Sequence, residues 1–160
     1  MISESKIRTA IVERIQDADP AAKVHRRFRY PAQGRLAAYI DLFRDDAGKI
    51  NGYMVRRVNR HPEMKGIPGR LVSVTHIYSI RFYSHYADIG VDDTASEELT
   101  QAKIEMLAGR FETDVTMGLG STVHHTGLQM PLDLVDVDMG GAQAHRADFR
   151  LEVTAANVEC

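Results

Sequence analysis

The clearest hydrophobic pattern in the chain is an alternation of side chains over residues 71–83. One set of alternate positions is almost wholly apolar and consists of Val72, Val74, His76, Tyr78, Ile80 and Phe82. The other set mixes polar side chains with Ile77 and Tyr83. Because successive side chains of a strand point to opposite faces, the pattern predicts a central or next-to-central antiparallel strand with its apolar face on the core.

Two stretches have the spacing of amphipathic helices. Ile7, Ile11 and Ile15 recur every four residues, after Ser3 as N-cap and before a break at 17–20. A longer central helix is predicted to open with a capping box at 94–97, in which the side chains of the first and last residue bond to each other's amides. The predicted buried face of this helix consists of Leu99, Lys103, Ile104, Leu107, Ala108 and Phe111.

The remaining apolar stretches are shorter and read mainly as strands. The predicted strands are 23–30, 50–59, 132–138 and 143–154. In the last of them, the predicted inward positions are His145, Ala147, Phe149, Leu151 and Val153. A turn is predicted at Gly140 and Gly141.

Residues 35–44 fit either a helix or a strand, and the short link at 45–48 favours a hairpin. Residues 60–69 and 118–126 are predicted to be loops. Together the elements indicate an α+β fold for a single domain over residues 1–160. Its sheet is expected to be mostly antiparallel or mixed, packed by the N-terminal helix and the longer central helix.

Composition is that of an ordinary globular protein. Of the 160 residues, 44% are apolar and 26% are charged, so wholesale disorder is not expected. No apolar run reaches the length of a membrane span, and the first residues lack the layout of a signal peptide. The lone cysteine, Cys160, cannot form a disulfide within the chain, which favours a reducing intracellular origin.

Charged residues are unevenly distributed along the chain. The net charge is −2, but residues 23–81 carry +9 and residues 82–160 carry −10. One hypothesis is that the two halves interleave and neutralise each other. The other is head-to-tail association, in which the basic flank of one copy meets the acidic flank of the next, as in rings.

Candidate chemistry is sparse. Lys23, Arg26, Arg27 and Arg29 alternate with aromatic residues and could contact a nucleic-acid backbone, although a solvated face or subunit contact is commoner. The histidines lack metal-ligand spacing, and His76 and His145 are predicted to be core or interface residues. A Ser–His–Asp triad stays open, but no G-x-S-x-G motif is present. We therefore predict no catalytic residue, no metal and no cofactor.

The order of these elements resembles the tail terminator (tail completion) proteins of long-tailed bacteriophages and phage-like particles. The resemblance covers most of residues 71–153. It is carried by the sequence His-Ile-Tyr-Ser-Ile-Arg-Phe-Tyr at 76–83, the acidic lead-in to Thr94-Ala-Ser96, the helix ending at Phe111, and the segment 139–145 leading into 149–153.

The resemblance implies a structural protein rather than an enzyme. Such proteins form a ring, expected to be hexameric, which caps the tail tube, ends its polymerisation and gives the head a docking surface. The implied partners are further copies of the chain, the tail-tube protein and the head-closure or neck protein. DNA would pass through the ring lumen without specific binding, and no membrane is involved. The implied location is the head-proximal end of the virion tail, after synthesis in the bacterial cytoplasm.

Charge alone suggests which residues would form the interfaces of such a ring. The candidates are Lys23, Arg26, Arg27, Arg29, Arg60, Lys65 and Arg70 on the basic side and Glu97, Glu98 and Glu105 on the acidic side. Two alternatives remain: another head–tail connector or tail-tube-type component, and a small nucleic-acid-binding domain that uses the basic strand.

Overall fold

A computed structural model of the chain describes residues 2–64, 71–86, 95–129 and 134–156. The elements in chain order are α1 (Glu4–Ala18), β1 (Lys23–His25), α2 (Leu36–Asp41), β2 (Asn51–Met64), β3 (Leu71–His85), α3 (Ala95–Glu112), β4 (Val123–Gln129), β5 (Val135–Asp138) and β6 (Gln143–Ala156). Helices on a mixed sheet make this an α+β fold, as the sequence predicts.

One mixed sheet organises the molecule. Its strand order is β1-β2-β3-β6-β4, and β5 pairs with β6 beyond the end of β4. β1 runs parallel to β2, and the other pairs are antiparallel. β3 lies between β2 and β6, which confirms the prediction of a central strand.

The main core lies between the sheet and the helices α1 and α3. Ile7, Ile11 and Ile15 of α1 are fully buried and pack in one cluster with Tyr78 of β3 and Phe149 of β6. Burying each isoleucine contributes roughly 1.5–3 kcal/mol. The side chain of the N-cap residue accepts a hydrogen bond from the third residue after it, as predicted for this helix start.

A smaller core covers the opposite face of the sheet at one end. It contains Tyr39, Ile40, Phe43, Ile50, Met54, Tyr83, Met139 and Ala144. The hairpin favoured for residues 35–44 is therefore wrong, because α2 is helical and its spacing places Tyr39, Ile40 and Phe43 on one side. A single antiparallel bridge, Arg44 to Ile50, is what remains of a hairpin around the turn.

The strand predicted at 23–30 is also largely wrong. β1 ends at His25, whose Nε2 lies 2.7 Å from the carbonyl oxygen of Leu42. The next residue turns toward α1, where the Arg26 guanidinium donates to Thr9 Oγ1 at 2.6 Å. These side-chain contacts take the chain off the sheet edge after three residues.

Two predicted loops are partly strand. β2 continues to Met64 because a bulge at Val58 restores its pairing with β3, and Pro62 is tolerated on an edge strand. Residues 65–70 lie outside the described residues. β4 occupies part of the loop predicted at 118–126, with Gly127 at φ 88° at the bulge in its pairing with β6.

The buried face of the central helix differs from the predicted one. Leu99 is 69% exposed rather than buried, because Ser96 and Thr100 share the inner face with Ile104 and Leu107. The predicted capping residue, Thr94, lies outside the described residues, as do the first two residues of the strand predicted at 132–138. The described part of that strand is β5. The inward positions of β6 are buried as predicted.

Candidate functional site

One edge of the sheet is basic and open over most of its length. β1 pairs with β2 only opposite Gly52, Tyr53 and Met54, so within the described residues no strand borders the outer edge of β2 beyond that point. Arg56, Arg57 and Arg60 are exposed along this stretch and form what we call the basic edge. Exposed cations on an unpaired strand edge disfavour the addition of another strand, so a partner would contact the side chains of this edge rather than its backbone.

The outer surface of α3 carries the opposite charge. Glu97, Glu98 and Glu105 are exposed there and form what we call the acidic face. Two apolar side chains, Leu99 and Met106, are exposed beside them. Exposed apolar groups among charges are typical of contact surfaces.

The basic edge and the acidic face belong to different elements, β2 and α3. Both long helices cover the same face of the sheet, where α1 contacts β1 and α3 contacts β4. α3 packs toward the β4 side of the sheet, but its first half also reaches the start of β2, where Lys103 and Asn51 both contact Asp19. The basic edge lies further along β2, from Arg56 to Arg60.

The other basic candidates are largely used inside the chain. Lys23 forms an ion pair with Asp46 at 2.8 Å, and Arg26 donates to α1. The Nε of Arg29 is buried and has no hydrogen-bond partner among the described residues, whereas Arg27 is exposed. The structure does not bring these residues together with the acidic face. Lys65 and Arg70 lie outside the described residues.

The two charged halves also interleave at the middle of the sheet. Arg81 of β3 forms a bidentate ion pair with Asp148 of β6, in which Nε donates to Oδ1 at 2.6 Å and Nη2 donates to Oδ2 at 3.3 Å. The guanidinium groups of Arg81 and Arg56 lie 5.1 and 4.8 Å from the ring centre of Phe28. The basic and acidic halves therefore neutralise each other in part at the centre of the sheet, while Arg60 and the glutamates of α3 stay exposed.

A row of polar side chains crosses four strands beneath α3. Asn51 of β2, Ser84 of β3, His145 of β6 and Asp136 of β5 are directly opposite one another in the pairing register. All except Asp136 are buried. We call these four residues the polar row.

Side chains of α3 and of the end of α1 complete the hydrogen bonding of this row. Ser96 Oγ lies 3.0 Å from His145 Nε2, and Thr100 Oγ1 lies 2.9 Å from Ser84 Oγ. Asn51 donates to Asp19, which also pairs with a lysine of α3, Lys103, at 3.0 Å. Asn51 Oδ1 has no partner among the described residues. Convergent polar groups beside a pocket make this row a candidate functional site.

A cavity of about 470 Å³ lies beside the polar row. Its lining includes Asn51, Ser84 and Ser96 from the network and Ile50 and Leu99 as apolar walls. This volume is in the range of small-molecule pockets. Sequence analysis missed both the row and the cavity, because each depends on the register of distant strands.

The histidines are not arranged as a metal site. Within the described part of the chain, no three His, Cys, Asp or Glu side chains are close enough to share a metal ion. Burial lowers the pKa of His76, with a further contribution from the nearby Arg57 guanidinium. Burial also lowers the pKa of His125. Both groups are therefore neutral near pH 7, as expected for core histidines.

Comparison with known proteins adds little beyond the fold. No family model matches the chain, and no curated protein matches its sequence. A solved structure whose name describes no function is similar over 100% of both chains, at 14% identity and a TM-score of 0.47. At this level the likeness assigns neither a family nor a function. No helix among the described residues combines the length and apolar character needed to span a bilayer.

Proposed function

We propose that this chain is a structural protein that assembles into a closed ring through heterologous, side-by-side contacts. The observation that carries the proposal is the exposure of two oppositely charged surfaces on different elements, the basic edge on β2 and the acidic face on α3. An interface of this kind uses two different surfaces, so each copy keeps one free surface until the ring closes. Opposite charges on those surfaces would orient the approach and disfavour the reverse pairing.

The resemblance to tail terminators gives this ring a role. In that role, a ring expected to be hexameric sits on the last ring of a phage tail tube and blocks further addition of tube subunits. Its exposed side then offers a docking face to the head-closure or neck protein, while DNA passes through the lumen without specific contacts. The action is steric and interfacial, with no covalent step and no cofactor. A different head–tail connector or a tube-type component would share the same assembly.

Arg60 is the best single residue for testing the basic edge. It is exposed, and its guanidinium makes no hydrogen bond or ion pair with any described residue. Arg56 and Arg57 are less suitable, because the first contacts Tyr30 and the second lies 3.5 Å from His76 Nδ1. On the acidic face, Glu98 is exposed in the first turn of α3.

The nucleic-acid alternative has less support. Two of the cations on which it depends are engaged with Asp46 and with Thr9, so a phosphate would have to displace these contacts. Binding to phosphates also requires several free cations, since affinity grows with the number of phosphates neutralised. Retention on a heparin column that is lost in Arg26→Ala/Arg27→Ala would favour this alternative over the ring.

Charge reversal tests the ring proposal. Arg60→Glu and Glu98→Arg should each weaken self-association about tenfold per interface, because an attraction becomes a repulsion. Lys6→Glu, an equivalent change at an exposed position of α1, should leave it unchanged. An equimolar mixture of Arg60→Glu and Glu98→Arg should assemble again, since each altered surface then meets an oppositely charged one. Sedimentation velocity measures the oligomer fraction. Equal effects of Arg60→Glu and Lys6→Glu, or no recovery in the mixture, would remove the basis for this interface.

A further inference from the structure

Three side chains beside the cavity form a continuous hydrogen-bonded chain. Ser96 Oγ lies 3.0 Å from Nε2 of His145, and Nδ1 of the same imidazole lies 2.6 Å from Asp136 Oδ1. Both distances are those of a nucleophile, its base and the group that orients the base. We propose that Ser96 is a nucleophile, that His145 is its general base, and that small carboxylic esters are the class of substrate. This proposal does not depend on ring assembly.

The protonation pattern of the imidazole suits this role. A carboxylate can only accept a hydrogen bond, so Nδ1 of His145 carries the proton that faces Asp136. In the neutral ring, Nε2 is then an acceptor, and it faces the hydroxyl of Ser96. Asp136 is a positioning residue, which fixes this tautomer without touching the substrate.

The fold holds the three groups rigidly. The pairing of β5 with β6 sets Asp136 opposite His145, and the ring of Tyr86 lies 4.9 Å from the imidazole. Ser96 is held from the other side, because Thr100 Oγ1 donates to its carbonyl oxygen at 2.8 Å. Rigid support of this kind is what a preorganised site requires.

The cavity provides room for an ester next to the hydroxyl. Ser96 lines the cavity, and Ile50 and Leu99 give it apolar walls for a short acyl chain. Ser96 is the second residue of α3, and the first amides of a helix have no carbonyl partner within it. Such amides can donate to the oxyanion that forms when the ester carbonyl is attacked.

The reaction balances with these groups and water. The oxygen of Ser96 bonds to the carbonyl carbon while its proton moves to Nε2 of His145. The carbon–oxygen bond to the alcohol then breaks, and the alcohol leaves with that proton. Water next attacks the acyl-serine, gives its proton to Nε2, and releases the carboxylic acid as the serine hydroxyl is restored.

The test uses the full-length protein with a fluorophosphonate probe and p-nitrophenyl butyrate. Intact-protein mass spectrometry should show one phosphonyl group per chain, placed on Ser96 by peptide mapping, and ester hydrolysis should exceed the background rate. Ser96→Ala should lose both signals. His145→Gln should slow labelling at least about 100-fold. Ser79→Ala, a serine substitution on the opposite face of the sheet, should behave like the unaltered protein.

Asp136→Asn provides a variant at an exposed position that is expected to fold normally. It should slow labelling by up to about 10⁴-fold and alter the pH profile of the reaction, which a purely structural role would not do. Failure of the unaltered protein to react, under conditions that label a standard serine esterase, would overturn the proposal. So would labelling that persists in Ser96→Ala. Sedimentation of the same variants should show unchanged assembly, which separates this result from the test of the ring.

Discussion

The contact of Phe43, just after α2, with Gly52 of β2 allows a quantitative test of the smaller core. A Cβ atom at Gly52 would lie 2.7 Å from Phe43 Cδ1 and 3.2 Å from the carbonyl oxygen of Lys23. Overpacking of this kind costs about 1–3 kcal/mol, partly offset by about 0.4–1 kcal/mol from the stiffer unfolded chain. Phe43 is fully buried against the rings of His25, Tyr39 and Tyr83, so Phe43→Ala should cost about 3–5 kcal/mol.

The two substitutions should not be additive. Without the Phe43 ring the 2.7 Å contact of the new Cβ is gone, while the contacts of 3.1 Å to the Cβ of residue 43 and 3.2 Å to the Lys23 carbonyl oxygen remain, so Gly52→Ala should cost less in the Phe43→Ala background. The expected coupling is about 1–2 kcal/mol. Urea unfolding of the four proteins, followed by far-ultraviolet circular dichroism, measures it. Gly109→Ala is the control, because nothing lies within 4 Å of its new Cβ and alanine should stabilise α3 by up to about 1 kcal/mol. A Gly52→Ala cost that is the same in both backgrounds would refute the packing of Phe43 on this strand.

Three further outcomes are expected. Acidification from about pH 7.5 to about pH 5.5 should lower the free energy of unfolding, because burial lowers the pKa of His125 below 6.5 and the unfolded chain therefore binds the proton first. Urea titrations across this range should show a smaller slope in His125→Gln. At lower pH, further stability should be lost between about 4 and 2, because hydrogen bonds from the Thr116 side chain and amide lower the pKa of Asp114 to about 2. Asp114→Asn should remove that second acid transition. Self-association should also weaken as ionic strength rises from about 0.05 to 0.5 M, and a salt-independent sedimentation profile would argue against charged interfaces.

The elements predicted best are those in which apolar residues follow either the strand or the helix period over many residues. β3 and β6 alternate over a dozen or more positions, and the isoleucines of α1 recur with helical spacing, so their faces could be assigned without a structure. α2 could not be assigned, because a run of six residues fits both periods. What decides it is the packing of Phe43 in a recess that Gly52 leaves open. β4 was missed because each of its residues pairs with a residue of β6 that lies more than twenty positions later in the sequence.

Some features of the candidate sites could likewise be predicted from the sequence, and others depend on the fold. A count of charges identified Arg60 and the glutamates of α3, but it could not show that Lys23 and Arg26 are used in contacts within the chain. The serine of the hydrogen-bonded chain could not be paired with His145 from sequence, since β4 and β5 lie between their two elements. The pairing of Asp136 with His145 could have been predicted from the sequence, because a hairpin centred on the turn at Gly140 and Gly141 places these two residues opposite each other.

Burial of polar groups beneath α3 also has a consequence for stability. Thr100 is fully buried, and its hydroxyl serves both Ser84 and the carbonyl oxygen of Ser96. A network of this kind favours one arrangement of α3 on the sheet, because any shift leaves buried donors unsatisfied. The orientation of the acidic face, which lies on the other side of α3, is thereby fixed as well.

The most direct test of the proposed ring is the mass of the assembled protein in solution. Light scattering coupled to size-exclusion chromatography should give one closed oligomer at low ionic strength, with a mass near six times 17.9 kDa and no change on further concentration. A monomer at every concentration, or a mass that keeps rising with concentration, would contradict the account.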